Sequence, residues 1–233
     1  MRQALFLFRP EPGWSESAKR ARDMGLEVAG NPLFTIAPCA WKAPESAGFD
    51  AILAGSANAF RHGGTQLSGL AALPVLAVGE ATAQAARDAG FTVASVGEGG
   101  LQALVDALPR EKRALLRLSG EKRVDLALPE HVTAEERVVY RAEPQELSQT
   151  TAHMIQSGGV AALHSAEAAR RFSAEAGRLE LDRSAISLLL IGPRLLQEVG
   201  EGWKSVHLAS TPSDAALLAL ACDVCNQGSS DLE

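Results

Sequence analysis

Short apolar runs, each followed by a longer stretch of mixed polarity, set the rhythm of this chain. The runs fall at residues 4–8 (ALFLF), 49–54 (FDAILA), 75–78 (VLAV), 92–96, 114–118, 160–163, 186–191 and 206–209. Continuous apolar runs of this length predict strands buried on both faces of a parallel sheet. The run at 114–118 is interrupted by Arg117, and residues 132–140 return extended. Between them, apolar positions at helical spacing predict helices over 14–24, 101–108, 123–128, most of 144–159, 168–176 and 212–225, with fraying from 226 to 233. Residues 26–36 come back extended, broken at Gly30-Asn31-Pro32, and the two prolines of 38–48 mark a loop.

The stretch 74–90, PVLAVGEATAQAARDAG, combines a strand, a tight turn at Gly79 and a helix from about Ala81. Such a turn aims backbone N–H groups, at the positive end of a helix dipole, beyond the carboxyl end of the strand. The layout recurs from Leu188, with Gly192 standing 113 residues after Gly79 (192 − 79), Val206 after Val93 and Leu217 after Leu104. Ser turns recur too: Gly55-Ser56-Ala57 is echoed by His164-Ser165-Ala166. So do small-residue turns, at residues 96–100 and 209–213. Alternating strands and helices predict α/β architecture, and the internal repeat predicts two small parallel-sheet domains. By the repeat alone the boundary would fall near Lys112. If the carboxyl ends of the two sheets face each other, their N–H donors line an anion-binding cleft.

Composition adds limits. The 233 residues suit two small domains, with 46% hydrophobic and 21% charged residues. The net charge of −6 argues against broad binding of nucleic-acid phosphates, and there is no basic helix to do it. It leaves room for an anionic small ligand, because local fields in a cleft outweigh net charge. Cys39, Cys222 and Cys225 make no disulfide framework. The C-x-x-C at 222–225 sits in the last helix without a second pair or a histidine, which fits packing or surface cysteines rather than a metal or redox site. The apolar run at 4–8 is too short for a signal sequence or a membrane span, so a cytoplasmic protein is expected.

In order along the chain stand Phe8-Arg9-Pro10, Gly55-Ser56-Ala57-Asn58-Ala59, Val78-Gly79-Glu80-Ala81-Thr82-Ala83, Leu118-Ser119-Gly120 with Arg123, and Val139-Tyr140. His164-Ser165-Ala166, Ile191-Gly192-Pro193 and Ala209-Ser210-Thr211-Pro212 complete the series. The series resembles that of the uroporphyrinogen-III synthases over nearly the whole chain; no single signpost is specific. The resemblance implies two α/β domains joined by a two-stranded linker, with the active site in the cleft between them. It also moves the boundary: residues 1–36 would pack with 144–233, and 40–138 would form the second domain, with crossing strands at 35–39 and 139–143.

The implied enzyme is a lyase of tetrapyrrole and heme biosynthesis. It cyclises hydroxymethylbilane, a linear tetrapyrrole with eight carboxylates, with inversion of the last pyrrole ring and loss of water. No cofactor, metal, membrane or nucleic-acid partner is expected, and the enzyme would act as a monomer. Tyr140, the sole tyrosine, matches the family's tyrosine and would donate to the leaving hydroxyl, or else pack at the domain junction. Arg9, Ser56, Ala57, Asn58, Gly79, Thr82, Ser119, Gly120, Arg123, Ser165, Ala166, Gly192 and Arg194 match positions expected to bind substrate. The hydroxyls of Ser56, Thr82 and Ser165 would bind carboxylates or cap helices. Arg9, Lys122, Arg123 and Arg194 would pair with carboxylates or stand as solvated charges. Leu195 and Leu196 depart from the family pattern, as does His164, where a Thr or Ser is common. The alternative is a non-catalytic two-lobed module that binds a tetrapyrrole or small anion.

Overall fold

The apolar runs become strands because they have nowhere else to hide both faces. The computed structural model describes residues 3–227. In chain order it forms β1 (Leu5–Leu7), α1 (Gly13–Asp23), β2 (Val28–Ala29), β3 (Phe34–Pro38), β4 (Ala51–Ala54) and α2 (Asn58–His62). Next come β5 (Val75–Val78), α3 (Glu80–Asp88), β6 (Val93–Gly97), α4 (Leu101–Asp106), β7 (Arg113–Gly120) and β8 (Val132–Pro144). The chain continues through α5 (Gln149–Gln156), β9 (Gly159–Leu163), α6 (Ala166–Arg178), β10 (Ile186–Leu190), α7 (Leu196–Val199), β11 (Ser205–Leu208) and α8 (Asp214–Gln227).

Contacts divide the chain into two compact units: residues through Thr35 together with those from Pro144 onward, and Ile36–Glu143. The first unit holds a five-stranded sheet in the order β11-β10-β9-β1-β2, parallel throughout. One face, with Leu5, Leu7, Val160, Ala162 and Leu189, packs on Ala18 and Ala21 of α1 and on Leu217, Leu218 and Ala221 of α8. Elsewhere in this unit Phe8 stacks on Phe172 of α6 at 4.6 Å, and Phe172 on Trp203 at 5.6 Å.

The second unit is built on a six-stranded sheet in the order β3-β8-β7-β4-β5-β6, whose pairs from β8 to β6 are parallel. Ile52, Ala54, Val75, Ala77, Leu116 and Leu118 face Phe60, Leu70, Ala83, Ala86 and Phe91. On the other face Ala51, Leu53, Leu76 and Leu115 pack on Leu104 and Val105 of α4. At the carboxyl ends of such sheets, loops gather the groups that bind ligands.

Four segments differ from the sequence expectation, each for a local reason. The helix expected over 123–128 does not form. Arg117 Nη2 donates to Val124 O, capturing a carbonyl that a helix would use. Gln102 makes two 2.9 Å bonds to the N–H and C=O of Ala127, like a neighbouring strand. The helix expected over most of 144–159 is confined to α5. It begins where the Ser148 hydroxyl accepts the Thr151 N–H, at 3.1 Å. Upstream, Leu147 is held by its N–H on the buried Glu175 carboxylate. After Gly192 there is a tight turn over Pro193–Leu195 and then only the short α7, ended by Gly200 at φ +67°. Gly79 has φ +74° and Gly192 φ −172°, so the paired glycines turn the chain differently. Finally, α8 continues through Asn226 and Gln227, expected to fray; the rest of that stretch, 228–233, lies outside the described residues. Cys225 is packed in this helix, and burial pushes its thiol up to about 11.

Candidate active site

Each unit has a pocket beyond the carboxyl ends of its strands. In the second unit a cavity of about 160 Å³ opens after β4 and β7. Gly55, Ser56, Ser119, Gly120 and Tyr140 line it, together with the cations Arg117, Lys122 and Arg123. Gly120 lies at a register shift between β7 and β8, and there the Tyr140 ring covers it. A Cβ on Gly120 would stand 2.7 Å from two ring carbons, so glycine is what lets the ring sit there. Ser56 turns the chain towards α2: its hydroxyl accepts the Asn58 N–H at 3.3 Å. The Ser119 hydroxyl is directed to the Arg137 carbonyl, 3.5 Å away, and its residue is buried.

In the first unit a cavity of about 520 Å³ is lined by His164, Ala166, Gly192, Arg194, Leu195 and the turn Ala209–Pro212, among others. Ser165 caps α6 behind it, accepting the Ala168 N–H at 3.1 Å. His164 is fixed by Asp214: its Nε2 lies 2.8 Å from the carboxylate, and its buried Nδ1 has no partner. Asp214 also accepts from Ser17 (2.6 Å), Arg9 (3.1 Å) and Arg20 (2.9 Å). Burial alone would raise the Asp214 pKa, but the bonds from His164 and Ser17 and the charges of His164 and Arg9 outweigh it. The carboxyl is held well below the usual range.

Among the residues picked from the sequence, Tyr140, Ser56, Ser119, Gly120 and Arg123 therefore meet in one pocket, and Ala166, Gly192 and Arg194 in the other. Ala57 and Asn58 continue the Ser56 turn, and Gly79 forms the turn before α3. Thr82 is buried within the first turn of α3 and is not its cap. Arg9 is spent on Asp214 and Ser17. Arg117 was visible in the sequence only as a charge inside an apolar strand. The Asp214 cluster had no signal at all, since Asp214 stands 205 residues from Arg9 and 50 from His164.

The family model for uroporphyrinogen-III synthase HemD matches residues 15–219. The chain belongs to the uroporphyrinogen-III synthase family. A solved uroporphyrinogen-III synthetase from Helicobacter pylori has the same fold, with a TM-score of 0.66 and 20% identity over 95% of this chain and 99% of that one. Two structures of the Thermus thermophilus synthase also match. A mutant form gives 0.48 with 16% identity, covering 97% and 99% of the two chains. The wild type gives 0.40 with 17% identity, covering 99% and 100%. No curated protein matches the chain. Among the described residues no helix is long and apolar enough to cross a membrane.

Proposed function

We propose that this member of the family converts hydroxymethylbilane into uroporphyrinogen III, with the Tyr140 hydroxyl as donor to the departing hydroxyl group. As a uroporphyrinogen-III synthase it is a cyclising lyase of tetrapyrrole biosynthesis and acts on a tetrapyrrole. Loss of the terminal hydroxyl as water leaves an electrophilic azafulvene. This attacks the substituted carbon of the last ring, and the spiro intermediate fragments and closes again with that ring inverted. Spontaneous closure gives the uninverted isomer, so holding the right conformer is the main catalytic task.

The observation that carries the proposal is the placement of Tyr140 in a pocket with Arg117, Lys122 and Arg123. A phenol donates without carrying charge at rest, and the cations favour an anionic substrate beside it. In the first unit, Gly192 and the Ala209–Pro212 turn offer backbone groups to further carboxylates. The proposal extends to a monomer acting in the cytoplasm without a nucleic-acid partner. Three free cysteines fit a reducing compartment, and the charge of −6 argues against nucleic-acid phosphates.

The test is a coupled assay that makes hydroxymethylbilane in situ and separates type III from type I product. Wild type should form type III. Tyr140→Phe should slow it roughly tenfold to a hundredfold, the lower range for general-acid help, while ring inversion persists. An unaltered rate would remove Tyr140 from the chemistry, and a wild type that yields only type I would make the chain a non-catalytic binder.

A further inference from the structure

Strand β7 is apolar in its middle except for one residue. Arg117 alternates with Leu116 and Leu118, so it shares a sheet face with Leu115, and its side chain is only 9% exposed. A guanidinium cannot shed its proton, so its burial has to be offset by counter-charge. That charge is Glu136 on the adjacent strand β8, whose Oε1 lies 3.2 Å from Arg117 Nε. The two atoms are buried and out of line, and neither makes a hydrogen bond. Meanwhile the other Glu136 oxygen accepts a 2.7 Å bond from Arg123 Nε. One carboxylate thus serves two guanidiniums, leaving the trio with a net positive charge. Both arginines line the Tyr140 pocket, and both are anchored by backbone carbonyls, at Val124 (2.7 Å) and Glu121 (2.8 Å).

We propose that Arg117 is a specificity-determining residue: with Arg123 it holds one carboxylate-bearing side chain of the substrate, while Glu136 orients the two guanidiniums. The assignment rests on the tetrapyrrole function given above. At about 160 Å³ the cavity is smaller than those that enclose a whole drug-sized ligand, roughly 300–1,000 Å³, but has room for a pendant carboxylate arm. The planar fork of arginine suits that group, and the surplus charge is neutralised when it arrives.

Arg117→Met keeps an unbranched stem and leaves Glu136 paired with Arg123. Arg117→Lys keeps the charge without the fork and guards against a methionine variant that fails to fold. Steady-state kinetics, thermal melts and fluorescence titrations with uroporphyrin III (eight carboxylates) and coproporphyrin III (four) provide the readouts. Arg117→Met should raise KM tenfold to a hundredfold, as for a lost charge-assisted bond, with kcat within threefold of wild type. Lysine should recover part of the loss, and the preference for uroporphyrin III should shrink in the methionine variant. A lowered melting temperature with KM and porphyrin preference unchanged would overturn the proposal and leave Arg117 a structural residue. Porphyrin titration needs no turnover. A wild type that discriminates between the porphyrins through Arg117, yet forms no type III product, would refute the function and uphold the carboxylate site.

Discussion

Replacing Gly120 by alanine tests whether Tyr140 acts from the place it occupies. Gly120 does not have a positive φ, so alanine introduces no backbone strain; the obstacle is space. The new Cβ would stand 2.7 Å from Tyr140 Cε2 and Cζ and 3.0 Å from its hydroxyl oxygen. Non-bonded carbons settle at about 3.5–4.0 Å, so the ring has to withdraw by about 1 Å. Overpacking of this kind costs about 1–3 kcal/mol of stability. Moving a reacting group by ~1 Å can cost ~10²-fold in rate. Gly120→Ala should therefore lower kcat/KM by about one to two orders of magnitude while the protein stays folded at 25 °C. The decisive measurement is the double variant with Tyr140→Phe. Once the hydroxyl is gone, displacing its ring costs little further chemistry, so the double should be scarcely slower than the slower single. Wild-type kinetics in Gly120→Ala, or two losses that simply multiply, would show that Tyr140 does not work through this contact.

Three further outcomes concern the turns and the Asp214 cluster. Ser165→Ala removes an N-cap acceptor and should lower stability by about 1 kcal/mol, whereas Ser56→Ala, in the Tyr140 pocket, should lower kcat/KM only a few-fold; a hundredfold loss at Ser56 would give its hydroxyl a part in the chemistry. Asp214 has its carboxyl pKa depressed from an ordinary 3.8, so its stabilisation is complete above about pH 5 and fades as pH falls towards the depressed value. Urea unfolding of wild type and Asp214→Asn from pH 7 to pH 3 should show the gap between them closing in acid. A gap independent of pH would mean that the carboxylate charge contributes nothing.

The strands and the turns after them were legible because both rest on local, repeated signals. A run such as Ala51–Ala54, buried at all four positions, can only be an interior strand. Glycines and serines after such runs mark where the chain must turn. What escaped was decided by side chains from elsewhere. Residues 123–128 have helical spacing, yet Gln102 and Arg117 claim their backbone groups from α4 and β7. Pairing Gly79 with Gly192 by offset carried over a helix that Pro193 and Gly200 cut to a single turn. Arg9 stood at a family position, but nothing nearby announced Asp214, 205 residues away, as its partner.

The departures at His164, Leu195 and Leu196 take on meaning from this last contact. Leu195 is buried in the wall of the first unit's cavity, while Leu196 is 45% exposed, so the pair is not one apolar plug. His164 does not stand alone: Asp214 fixes its Nε2, and Ser17, Arg9 and Arg20 fix Asp214. The arginine charges are thereby spent on holding a side chain rather than offered to a ligand. Arg194 and the turn Ala209–Pro212 also line that cavity. In the second unit the balance is reversed, because Glu136 brings a single negative charge to the two arginines it bridges. On the proposed function, selection among anionic substrates should therefore depend more on the Tyr140 pocket than on the first unit's cavity.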